Sequence, residues 1–193
     1  MKNPALIAAA TLLTLGMAHT GSAQERQGRG APQTLTLSNA MIGGYTAIQR
    51  DLLEAAELMP EADYVFKPTP ETRPFGQLIA HVSLSQFATC SVLQGGPNPK
   101  AGEKEETPRS KAVLIALLKE STTFCNPLVN AMTEEGMVQL IKVGPNEGAR
   151  GVAVTGLSVH GNEVYGTIAV YLRLKGIVPP TTARQGPAPT KRD

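Results

Sequence analysis

The sequence predicts an all-α protein built as a four-helix bundle, on three observations. Apolar residues recur at three-and-four spacing in four separate stretches, prolines and glycines gather between those stretches, and no run alternates long enough to make a convincing sheet. After a removable leader the chain runs from Gln24 to Asp193, enough for one domain with a sizeable core and too short for two ordinary ones.

The first helix is predicted from about Ser38 to Met59. Leu52, Leu53, Ala56 and Met59 keep the helical spacing, Arg50, Asp51, Glu54 and Glu57 fall mostly on the other side, and Pro60 stops it. Gly43-Gly44 weakens its opening turns by about 1 kcal/mol per glycine relative to alanine. The proline-rich PEADYVFKPTPETR that follows cannot be helical throughout, so it reads as an extended connection with Tyr64 and Phe66 tucked under the bundle. A second helix begins with Pro74 near its first position and runs to about Leu93, with Phe75, Leu78, Ile79 and Val82 on its apolar face, Leu84 and Phe87 widening it, and His81 beside it.

QGGPNPKAGEKEE reads as a solvated loop. Thr107-Pro108 has the character of a helix start, a hydroxyl cap followed by proline. Val113, Leu114, Leu117, Leu118, Phe124 and Leu128 then predict a third helix to about Met132, which Pro127 kinks or shortens. The glycine-rich stretch 133–151 is ambiguous, with MVQLIKV either a short strand or an extended strap. Val154, Leu157, Val164, Ile168, Tyr171 and Leu172 define a fourth helix over about 152–175, ended by Gly176 and Pro179-Pro180.

The ends differ in character. Residues 1–23 carry Lys2, an apolar run from Ala5 to Met17 and Gly21-Ser22-Ala23, the three parts of a secretory signal cleaved near Ala23. The run falls short of the ~20 residues of a spanning helix, and no second such stretch is read further on, so export to the periplasm or medium is expected without stable membrane insertion. Residues 24–34 and 181–193 are polar and rich in glycine and proline, a disordered leader and tail around a folded 35–180.

Without Lys2 the balance is 17 basic residues (18 less one) against 16 acidic, and aromatics are 4% of the chain, so neither a basic footprint nor a stacking platform for nucleic acid is present. Walker, nucleophile-elbow, Cys-x-x-Cys and dinucleotide motifs are absent. The two cysteines, Cys90 and Cys125, are expected to bridge in an oxidising compartment, contributing on the order of 3 to 4 kcal/mol; two reduced, buried thiols are the alternative.

The chemistry concentrates at His160 in HGNEVYG. A residue four places on lies above it on the same helix face, and a histidine there would complete a metal clamp; that residue is Val164. Glu163, about 60° round the helix from His160, is within reach of a shared ion, although a solvated acid is the simpler reading. Tyr171 is placed to line a pocket beyond Val164, and Arg173 to cap it or anchor a carboxylate.

RPFGQLIAHVSLSQFATCSVLQG, TPRSKAVLIALLKESTTFC and HGNEVYGTIAVYLRLKGIVPP, in that order, resemble the DinB-like family of four-helix-bundle proteins, particularly its exported members, over nearly all of 35–180. The resemblance implies a divalent metal, usually zinc or nickel, held by one histidine on the second helix and two at i and i+4 on the fourth. His81 and His160 match two of these positions, and Val164 replaces the third. The family includes thiol-dependent transferases and isomerases and many members without a known reaction. The expectation is therefore an exported bundle with a degraded metal site and a weakly bound or absent ion. A metal-dependent hydrolase or thiol transferase using His81 and His160 is one rival, and a non-catalytic binding or homodimerising module is another. The sequence names no small-molecule ligand.

Overall fold

The computed structural model describes residues 35–186; the expected signal segment and leader lie outside the described residues, as does the tail from 187 on. The first helix, α1, spans Leu37–Leu58. Its N-terminus is capped twice: Thr36 accepts from the Asn39 amide, and Glu134 accepts from the Ser38 amide and hydroxyl at 2.8 and 2.7 Å. These bonds hold the Glu134 carboxyl below its ordinary range. Met59 is extended and Pro60 follows, which ends the helix as expected.

A single 3₁₀ turn, Glu61–Asp63, leads into the linker. Tyr64 is buried as anticipated, its hydroxyl donating to Ala56 O at 2.6 Å and its ring edge-on to Phe75. The second helix, α2, spans Phe75–Gln94 with Pro74 at its cap and Gly95 closing it at φ 70°, a left-handed conformation that glycine adopts without steric cost. The third, α3, spans Lys111–Asn130. Thr107-Pro108 does not start it: the Thr107 amide closes a turn onto Lys104 O, and Arg109 ties the loop together through the Lys104 and Thr107 carbonyls and Glu103. Ser110 supplies the cap instead, accepting from the Val113 amide. Pro127 is accommodated inside the last turn. By length and apolarity α3 is also a stretch that could cross a membrane, contrary to the sequence reading. Here its apolar side is taken up by the bundle, with Leu114, Leu117, Leu118 and Val129 buried.

The ambiguous region resolves into a short helix, α4 (Glu134–Val138), and an antiparallel hairpin of β1 (Leu140–Val143) and β2 (Asn146–Ala149) with Leu140 opposite Ala149. The fourth long helix, α5, follows at once over Arg150–Leu174. Residues expected to open a structureless tail instead form α6 (Pro180–Arg184). Proline at its first position favours the turn, and Arg184 pairs with Asp51 and Glu54 of α1.

Each long helix packs on two others, α1 on α3 and α5, and α2 on α3 and α5, so the order around the bundle is α1, α3, α2, α5. The core has two apolar clusters. One gathers Leu52, Phe75, Ile79, Leu118, Ile168 and Leu172; the other gathers Tyr45, Leu93, Val129, Met137, Val154 and the joined Cys90 and Cys125. Between them in sequence on three helices sits a buried polar band. Gln86 donates to Gln49 Oε1 at 2.7 Å and accepts from the Ser121 hydroxyl at 2.8 Å. Such a band resists a slip in helix register, which would strand Gln86 and Gln49 Oε1 alongside Gln49 Nε2, a buried donor that is already without a partner.

Gly76 shows how tightly the linker is seated. A Cβ there would meet Leu114 Cδ1 at 3.0 Å and the Tyr64 carbonyl oxygen at 3.2 Å, whereas a Cβ at Gly156 would meet nothing within 4 Å. Gly76→Ala should lose about 1–3 kcal/mol by overpacking. Gly156→Ala should gain up to ~1 kcal/mol in helix propensity. Urea melts of the two variants check this, and equal effects would contradict the packing around Tyr64.

Candidate functional site

The functional side chains meet where the first turns of α2 face the middle of α5. Gln77 and His81 stand one turn apart on α2, and His160, Val164 and Tyr171 follow one another along α5. The linker brings Arg73, and the loop between α2 and α3 brings Glu105. Together they border a polar cavity of about 620 Å³, a volume in the range of small-molecule sites.

His81 and His160, both partly buried, present their Nε2 atoms to each other at 3.0 Å, with rings edge-on and centroids 4.9 Å apart. The other nitrogen of His81 is engaged: Nδ1 contacts the Glu105 carboxylate, whose second oxygen accepts from Arg73 Nε at 2.7 Å and Gln77 Nε2 at 3.1 Å. With its proton on Nδ1, His81 turns a lone pair from Nε2 toward His160, which donates from its own Nε2 in the metal-free pair. Burial pushes the Glu105 carboxyl up, but the bonds from Arg73, His81 and Gln77 outweigh it and hold it below the usual carboxylate range. His160 is lowered from its ordinary value, first by burial and then by the repulsion it would meet from a charged His81 ring and from Arg73, against the opposing pull of Glu163.

The two sequence-matched histidines are therefore brought together. Val164 lies one turn beyond His160 and lines the same cavity, 5% exposed, where it offers only methyl groups. Glu163 also borders the cavity, but among the described residues no three His, Cys, Asp or Glu side chains converge closely enough for one ion. The donor set thus fits a two-imidazole site and does not fit a three-imidazole one. Tyr171 reaches the cavity wall, its hydroxyl donating to Arg73 O at 2.7 Å, which holds the linker over the site. Arg173 turns away, bonding Ala169 O and the Thr182 hydroxyl of α6, so it neither caps the pocket nor offers an anchor within it. Cys90 sits nine residues beyond His81 on α2, roughly 13 Å along the axis. The disulfide therefore belongs to the far core cluster and not to the site.

Sequence reasoning missed Glu105. It sits in GEKEET among three glutamates, and nothing in that charge run distinguishes the one folded onto His81 from its solvated neighbours.

Comparison with known proteins bears on the fold and the family. Among curated proteins none matches the chain. Among the solved structures similar to it are three that each cover 72% of this chain. A DinB-like protein from Bacillus cereus ATCC 10987 has 14% identity, 93% of its own chain covered and TM-score 0.62. A DinB-like protein from Bacillus subtilis has 21% identity, 93% coverage and TM-score 0.58. A conserved protein from Enterococcus faecalis has 14% identity, 97% coverage and TM-score 0.59. At these identities the likeness is one of fold. The sequence profile of the DinB superfamily matches residues 45–161, more than half of the chain and the stretch that carries both histidines, and the chain belongs to that superfamily.

Proposed function

We propose that this chain is an exported bundle whose cavity is a reduced divalent-metal site: His81 and His160 hold zinc or nickel weakly, and the remaining coordination positions open onto the cavity. The observation that carries this reading is the facing Nε2 pair at 3.0 Å, because two imidazole nitrogens each about 2.0–2.1 Å from one ion lie roughly 3 Å apart. Glu105 supports it, since a metal-binding imidazole characteristically gives its other N–H to a carboxylate that fixes its tautomer. Val164 sets the limit, leaving two nitrogens where a catalytic zinc normally has three protein ligands. To bind, His160 moves its proton from Nε2 to Nδ1, so an ion competes with the hydrogen bond between the rings. When bound, such an ion supplies Lewis acidity toward an oxygen or sulfur of a ligand in the cavity. Export is supported by the three-part pattern of residues 1–23 and by cysteines that form a buried bridge.

A metal-dependent hydrolase or thiol transferase is the second reading, favoured by a cavity large enough to seat a small substrate beside the histidines. The test of the first reading is zinc titration of untagged mature protein, with His160→Ala alongside. One ion per chain should bind weakly and raise the melting temperature only at excess zinc, and His160→Ala should abolish the rise. An identical rise in His160→Ala, or none in the parent, would remove the site.

A further inference from the structure

The buried polar band leaves one group unsatisfied. Gln49 is only 6% exposed, and its Oε1 accepts from Gln86 Nε2 at 2.7 Å and from the Thr122 hydroxyl at 3.1 Å, yet its Nε2 is enclosed and has no acceptor among the described residues. Idle donors in a buried amide cost free energy that folding does not recover. Gln49 also lines a cavity of about 390 Å³ in the seam between α1 and α3. Around the bundle this seam lies opposite the one between α2 and α5, where the two histidines meet. Leu53 and Leu118 form the apolar part of the cavity and Arg50 and Lys119 its charged part; among the described residues no carboxylate lines it.

From the idle amide and the cavity beside it we infer that the seam between α1 and α3 is a second ligand site, independent of the histidine pair, for a small amphiphilic carboxylate. The apolar body of the ligand lies against Leu53 and Leu118, and its carboxylate takes hydrogen bonds from Gln49 Nε2, Arg50 and Lys119. Both cations have carboxylate neighbours that they can leave. Arg50 Nε lies 3.2 Å from Asp51 Oδ1 and 4.0 Å from Glu54 Oε1, but both acids keep Arg184 as a second partner. Lys119 meets Glu57 at 3.0 Å in a pair whose side chains are both about half exposed, and pairs of that kind are worth little in water. The long stems of Arg50 and Lys119 are also the part of the lining best able to move aside, which opens the amide to a ligand oxygen. An ammonium head would put a third cation beside these two and offer Gln49 no acceptor, so the same groups that admit a carboxylate reject an amine.

Titration of isotope-labelled protein with octanoate, octylamine and acetate, followed by NMR, tests this, with chelator present so that no metal ion offers a competing carboxylate site. Octanoate should shift the Gln49 side-chain amide resonances saturably and bind at least about tenfold more tightly than acetate, which lacks the apolar body. It should also bind more tightly than octylamine. In Arg50→Gln/Lys119→Gln both substituted side chains are exposed, so the fold should be retained while octanoate affinity falls about tenfold or more. Saturable binding that leaves the Gln49 amide unmoved, undiminished affinity in the double variant, or no octanoate binding by the parent would each overturn the inference. Octanoate shifts centred on His81 and His160 would place the ligand in the other cavity and overturn it too. A preference for octylamine would do the same, because it would mean that the amides of Gln49 and Gln86 are turned the other way, leaving an oxygen and not a donor without a partner.

Discussion

Val164→His should raise the affinity for zinc on the order of 100-fold or more. The expectation follows from the ligand count. Losing an outer-shell partner of a metal-bound histidine already costs 10–100-fold in affinity, and this substitution adds an inner ligand where His81 and His160 already converge with facing Nε2 atoms. Position 164 lies one turn after His160 on the same face of α5 and borders the same cavity. An imidazole there stands one turn beyond His160, on the helix face that borders the ring pair. Because Val164 is also part of the apolar cluster that includes Leu78 and Ile168, the larger polar ring displaces packed methyls, and the metal-free variant should lose about 1–3 kcal/mol. The two effects have opposite signs and are separable: with chelator the variant melts below the parent, and with excess zinc it melts above it, by a margin that grows with zinc concentration. Adding His81→Ala to Val164→His should remove most of the gain. Tight stoichiometric zinc in the parent would refute the missing ligand, and no gain in Val164→His would mean that the two helices do not converge as described.

What the sequence revealed and what it concealed divide along one physical line. Long-range burial with a fixed period is visible in one dimension, so Leu52, Ile79, Leu118 and Ile168 could be placed in the core by spacing alone, and all are fully buried. His81 and His160 were legible for a different reason, each standing at a helix position that matches the family the sequence resembles. Local competition between caps was not legible. Thr107-Pro108 and Ser110 both have the chemistry to start α3, and the outcome depends on Arg109 holding the preceding loop to Glu103, Lys104 and Thr107. Likewise α6 exists because Arg184 finds Asp51 and Glu54 more than a hundred residues earlier, a pairing that the composition of PPTTARQG does not announce. Glu105 is the same case in the site: its partners Arg73, Gln77 and His81 come from another element, and only folding selects it over Glu103 and Glu106.

The second large effect should come from the disulfide. Replacing both cysteines, Cys90→Ala/Cys125→Ala, should lower stability by at least about 4 kcal/mol and the melting temperature by roughly 10 °C or more. The bridge joins α2 to α3 across 35 residues of sequence, with Cα atoms 5.5 Å apart, within the ordinary span of such bonds. The loop it closes contains the flexible-looking GGPNPKAGEKEE, whose freedom in the unfolded chain is what the cross-link restricts; chain-entropy reasoning for a loop of that length gives the same ~4 kcal/mol. Both sulfurs are completely buried among Tyr45, Leu93, Val129 and Val154, so the alanine pair also loses packing. Comparing the double variant with parent reduced by dithiothreitol separates the two contributions: the reduced parent keeps the sulfur volume and should lose only the cross-link. Complete burial further implies that reduction of the native protein waits on opening of the bundle, so it should be slow without denaturant and accelerate with urea. Because the bridge lies roughly 13 Å along α2 from His81, zinc affinity should change little once temperature is kept below the lowered transition. Two free thiols in protein freshly purified from an oxidising compartment would refute the bridge, and a loss under about 1 kcal/mol in both comparisons would show that the loop is already restricted in the unfolded chain.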